Sequence, residues 1–132
     1  MKEKNRTLAN EWFERASSDL QYAKAGEKET GQHHITCFLC HQSVEKLLKG
    51  LIVLNGESPP KTHNLTILFS KAVIFLETLE KLQTDIRKLD KFYIPARYPG
   101  NDYSEFSEKD AQQALATTRQ VMEALNPFFN HS

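Results

Sequence analysis

His34-Ile-Thr-Cys-Phe-Leu-Cys-His-Gln-Ser-Val-Glu-Lys-Leu-Leu-Lys-Gly-Leu-Ile-Val-Leu-Asn55 is the longest stretch with helical periodicity in the chain. Cys37, Cys40, Val44, Leu47, Leu51 and Leu54 recur at steps of three and four, and Phe38, Leu48 and Ile52 widen the stripe. A helix apolar over so wide an arc must be covered by several neighbours, which makes it the central helix of a bundle. Gln42, Glu45, Lys46 and Lys49 form a narrow polar stripe against it, with Glu45 and Lys49 in the favourable acid-before-base order at i, i+4. Surface solvation is one reading of that stripe and an anion-binding face is the other. Asn55-Gly56 supplies the stop, and Pro59-Pro60 prevents the helix from resuming.

Upstream, Leu8, Trp12, Ala16, Leu20 and Ala23 mark an amphipathic helix from Thr7 to about Ala25, and the polar run Gly26–Gly31 is expected to end it. Downstream, Thr62 is the expected N-cap of a short helix carrying Leu65, Leu68, Phe69 and Ala72. Leu76, Leu79, Leu82, Ile86, Leu89 and Phe92 then predict a second long helix. Ser107-Glu-Lys-Asp110 resembles a capping box, with Asp in place of the usual Glu, ahead of a last helix bearing Ala114, Thr118, Val121 and Leu125. Asn126-Pro127 closes it. No segment alternates with the period of a strand. The fold expected is all-α, an up-down four-helix bundle with an additional short helix, in one domain spanning residues 1–132.

The 17 basic and 17 acidic residues cancel, so any attraction for nucleic acid must come from a local patch. No apolar run reaches the length of a membrane span. Met1–Arg6 leads into no apolar segment, and the cytoplasm is the expected compartment. Cys37 and Cys40 are expected to be free thiols.

One segment breaks the helical pattern: Tyr93-Ile-Pro-Ala-Arg-Tyr-Pro-Gly-Asn-Asp-Tyr103. Pro95 and Pro99 lack amide donors and push Ile94 and Tyr98 toward extended geometry. Arg97 stands among Tyr93, Tyr98 and Tyr103, a permanent cation beside stacking rings, which suits a planar anion such as a nucleotide or RNA. The other reading is an inter-helix loop whose rings pack down and whose arginine pairs with a carboxylate. Arg87, Lys88, Lys91 and Arg97 crowd toward the break as a modest basic patch.

Other constellations are thin. Cys37-Phe-Leu-Cys40-His41 fits the spacing of haem attachment, and with His33 and His34 it offers zinc-like ligands. Both cysteines lie on the apolar stripe, however, and no second Cys/His cluster exists to complete a structural zinc site. No metal and no cofactor is expected. Gly50, Gly56 and Gly100 stand alone, so there is no phosphate-cradling loop. His63, beside a helix start, suits capping or packing as well as catalysis.

The order of these pieces resembles the HEPN domain. Trp12-Phe-Glu-Arg-Ala16 with Asp19-Leu20, then Gln42-Ser-Val-Glu-Lys-Leu-Leu-Lys49, Thr62-His63-Asn-Leu65 and Tyr93-Ile-Pro-Ala-Arg-Tyr-Pro99 follow one another as that family's motifs do. The resemblance implies a cytoplasmic, usually dimeric helical protein, often encoded beside a minimal nucleotidyltransferase in a pair that behaves like a toxin–antitoxin module. Many family members are metal-independent ribonucleases that carry a His four to six residues after an Arg. Here Arg97 matches the arginine, but positions 102–104 are Asp102, Tyr103 and Ser104, and the next histidine is His131. The expectation is therefore a protein that binds a nucleotide or RNA through Arg97, Tyr98, Tyr93, Lys46, Lys49 and His63. The alternatives are a ribonuclease using Arg97 with a non-histidine partner, and a module serving only dimerisation or interaction.

Overall fold

The computed structural model describes residues 2–93 and 106–129, and the segment that holds Arg97 and Tyr98 lies outside them. Helix α1 spans Lys2–Thr30 and α2 spans His33–Leu54. A short helix α3 (Leu65–Ala72), a 3₁₀ turn (Glu77–Leu82), α4 (Gln83–Asp90), α5 (Glu108–Leu125) and a last 3₁₀ turn (Asn126–Phe128) follow. The architecture is the expected all-α bundle, with α2 packed against α1, α3, α4 and α5. Among the described residues, no helix is long and apolar enough to cross a membrane.

The first helix runs five residues further than Ala25, through Gly26. Its extra turn is held by contacts the polar run conceals: Glu27 accepts from Thr36 Oγ1 at 2.7 Å and pairs with His33 Nδ1 at 2.7 Å. Gly31, at φ 64°, is the residue that ends it, since only glycine takes this left-handed geometry without strain. The buried stripe also sits one residue round from the expected one at its N-terminal end. Ala9 and Phe13 are buried, whereas Leu8 is 47% exposed. Phe13 turns inward because it packs over Gly50, where α1 and α2 come so close that a Cβ would meet its ring. From Ala16 through Leu20 to Ala23 the expected register holds.

Asn64, not Thr62, caps α3: its side chain accepts from Ile67 N–H at 3.0 Å, while Thr62 Oγ1 accepts from Asn64 N–H. The expected second long helix divides into the 3₁₀ turn and α4. The spacing explains the division. Leu76, Leu79 and Leu82 follow three-residue steps, the period of a 3₁₀ helix, and the four-residue step to Ile86 restores the α period. Leu79, Ile86 and Leu89 are buried as a result. The capping box forms as expected, Ser107 N–H donating to Asp110 at 3.0 Å and Asp110 N–H to Ser107 Oγ at 3.1 Å. Arg6 ties the two chain ends together by donating to the Phe128 carbonyl at 3.0 Å.

Candidate functional site

The polar stripe of α2 is not a solvated face. Glu45 and Lys49 are both buried, at 6% and 9% exposure, and Lys49 Nζ donates to Glu45 Oε2 at 2.8 Å. Lys49 also lies 5.7 Å from the centre of the Trp12 ring, within range of a cation–π contact. Lys46 donates instead to Asp19 of α1 at 2.6 Å. The two lysines expected to share one anion site are thus divided between two partners, and each is neutralised by a carboxylate.

His63 completes the Glu45 group. From the loop before α3, its Nδ1 stands 3.0 Å from each Glu45 oxygen. An ionised carboxylate accepts only, so Nδ1 carries the hydrogen and donates. The remaining nitrogen, Nε2, makes no hydrogen bond among the described residues, and the side chain is 55% exposed. The His63 ring stacks on Tyr93, three residues beyond the end of α4, with centroids 5.1 Å apart and planes at 17°. That face of Tyr93, expected to be offered to a base, is already covered by an imidazole. His41 meets the same tyrosine ring at 4.7 Å, and Phe38 stands 6.2 Å from it.

Behind Tyr93 lies a second acid–imidazole pair. The fully buried His41 reaches Asp90 Oδ1 through Nε2 at 3.2 Å. Asp90 also accepts from Leu65 N–H at 2.8 Å and from Thr66 Oγ1 at 3.4 Å, so it fastens the start of α3 to the end of α4. Burial raises the Asp90 carboxyl, but the bond from His41, the Leu65 and Thr66 amides and the His41 charge outweigh it and hold the group below its ordinary value. With Nε2 engaged, His41 Nδ1 is buried without a hydrogen-bond partner among the described residues.

His41 therefore belongs to Asp90 and Tyr93 rather than to the cysteines one and four residues before it. Cys37 and Cys40 are free, fully buried thiols, each pushed up to about 12, chiefly by burial. Among the described residues, no three His, Cys, Asp or Glu side chains group as metal ligands. Of the basic residues before the break, Lys88 and Lys91 line a cavity of about 240 Å³ between α4 and α5 together with Asp85 and Asp110.

The structure thus brings His63, Tyr93 and Lys49 together around Glu45, and it leaves Lys46 on the α1 side. Sequence reasoning missed the burial of Glu45 and the roles of His41 and Asp90. A signal for the first two was present. His41, Glu45, Leu48 and Ile52 follow one another at steps of four, three and four, which places both polar residues on the flank of the apolar stripe.

A helical bundle in which a buried acid–lysine pair meets a half-exposed imidazole stacked on Tyr93 describes a small α-helical domain. The HEPN domain model matches residues 9–127, and the chain belongs to that family. TT1696 from Thermus thermophilus is similar in structure, at a TM-score of 0.81 and 27% identity over 90% of this chain and 96% of that one. ST0689, described as an archaeal HEPN homologue, shares the fold at a TM-score of 0.74, with 24% identity over 91% of this chain and 96% of its own. Among curated proteins, none matches.

Proposed function

We propose that this HEPN protein binds a nucleotide or RNA beside the Tyr93–Tyr103 segment, acts in the cytoplasm as a homodimer, and partners a minimal nucleotidyltransferase in a toxin–antitoxin-like pair. The observation that carries the binding reading is the group formed by Glu45, Lys49, His63 and Tyr93. It gathers a half-exposed imidazole and the Tyr93 ring at the residue where the arginine-bearing segment begins. Arg97 follows Tyr93 by four positions, and a guanidinium there supplies the bidentate phosphate donor that the paired Lys46 and Lys49 do not.

Arg97→Ala is expected to weaken binding of a mononucleotide or oligoribonucleotide by about 1–3 kcal/mol, the range of a charge-assisted contact. A calorimetric titration that finds the variant unchanged would remove Arg97 from the site. Incubating the protein with RNA in the presence of EDTA separates binding from cleavage: cut strands that vanish in Arg97→Ala would make the protein a ribonuclease. One observation favours a purely structural role for the two lysines. Lys46 and Lys49 are each satisfied by an acid, as lysines in a folding scaffold are.

A further inference from the structure

We propose that His63 is a proton-linked phosphate contact: uptake of one proton at Nε2 turns the Glu45–Lys49–His63 group into a singly positive site for a phosphate monoester or diester. This rests on the binding reading above and adds to it how the site is regulated.

Net charge decides what the group can hold. Had Glu45 stood alone beneath His63, a protonated imidazole would be cancelled by the carboxylate, and nothing would remain for a ligand. Lys49 changes that result. Its ammonium already offsets Glu45 at 2.8 Å, and both groups are buried. A proton on His63 therefore leaves one uncompensated positive charge, carried by the one member of the group that is half exposed.

The hydrogen-bond geometry aims that charge. Glu45 fixes Nδ1 as the donor toward the protein, so the neutral ring offers Nε2 as a lone pair, which repels an anion. The added proton converts this nitrogen into a charged N–H donor, the kind that binds phosphate oxygens. Among the described residues, Glu45 is the carboxylate that pairs with His63. Tyr93 stacks on the ring, and beyond it His41 is engaged with Asp90. Lys49 itself stays fixed between Glu45 and the Trp12 ring.

Isothermal titration of the full-length protein with adenosine 5′-monophosphate, and with a short mixed-sequence oligoribonucleotide, tests the proposal near neutral pH. Running each titration in PIPES and in Tris, which differ in ionisation enthalpy, counts the protons taken up on binding. The wild-type protein is expected to take up a fraction of a proton per ligand and to bind about tenfold more tightly at the acid end of the imidazole range than at its alkaline end. His63→Asn keeps an N–H for Glu45 but cannot titrate; it should bind weakly at every pH, without the uptake. Wild-type binding with no proton uptake, or uptake that survives in His63→Asn, overturns the proposal and leaves the binding reading standing. Absence of binding to both probes at every pH overturns the binding reading, and the proposal with it.

Discussion

Replacing Lys49 with methionine isolates the contact on which the candidate site is built. The substitution keeps most of the side-chain volume and its packing over Trp12, but it deletes the ammonium that pairs with Glu45 at 2.8 Å. The two side chains are only 11% and 8% exposed, so water cannot fully take over from the lost partner. Breaking a buried ion pair from one side costs about 3–5 kcal/mol, because the other charge is left uncompensated. His63 remains beside Glu45, which brings the expected loss below that range, to about 2–3 kcal/mol. With a urea m-value of about 1.5 kcal/mol/M, the unfolding midpoint followed by circular dichroism falls by about 1.3–2 M. Removing both charges in Glu45→Leu/Lys49→Met should cost less than Lys49→Met alone, since no buried charge is stranded. A loss below about 1 kcal/mol in Lys49→Met, or a double variant as unstable as the sum of the singles, would show that Glu45 is hydrated and the pair is a surface one.

Gly50→Ala should destabilise the fold by about 1–2 kcal/mol despite the better helix propensity of alanine, because overpacking outweighs it. The new methyl group would meet the Phe13 ring and lie 3.1 Å from Trp12 Cβ, and Phe13 is itself stacked on Phe129; a thermal melt at or above wild type would refute this. Cys37 and Cys40, with thiols pushed up to about 12, should resist a disulfide reagent at pH 8 until the chain is unfolded. Because the folded state holds these protons more tightly than the ordinary value of 9.0 allows, their contribution to stability is complete below about pH 9 and is lost as pH rises toward about 12. Fast labelling of the native protein would contradict the burial.

The residues that decide the bundle were legible because burial leaves a period in the sequence. Val44, Leu47, Leu48, Leu51 and Ile52 mark α2, and Ser107 with Asp110 marks the start of α5. What was not legible depends on partners distant in the chain. Gly26 reads as a terminator by its own propensity, yet Thr36 and His33, from the next helix, hold Glu27 and carry α1 past it. Leu8 fits the spacing of the apolar stripe as well as Ala9 does. Only the glycine at position 50, on another helix, explains why Phe13 and Ala9 turn inward instead. Three-residue steps from Leu76 to Leu82 also fit an α-helix within a longer three/four pattern, so the tighter turn that buries Leu79 is read only in the structure.

The same limit explains how the candidate site was half seen. Its residue types were visible, but their charges were counted as though each faced water. Glu45 and Lys49 at i, i+4 read as an exposed pair; buried, the same pair becomes a fixed neutral base on which the state of His63 decides the net charge. Asp90 plays the corresponding part behind Tyr93, where one carboxylate joins α2, the start of α3 and the end of α4 through His41, Leu65 and Thr66. Tyr93 stands between these two acid–imidazole pairs, in contact with the ring of each. Tyr93, the last described residue before the Arg97 segment, is therefore flanked by two imidazoles that carboxylates hold in place. Glu45→Gln or Asp90→Asn should consequently shift the Tyr93 ring resonances in NMR spectra while the methyl resonances of Leu20 hold their positions, because the α1–α2 packing of Ala16, Leu20 and Leu47 owes nothing to either acid. Tyr93 signals that stay in place in both variants would return the placement of that ring to the apolar core.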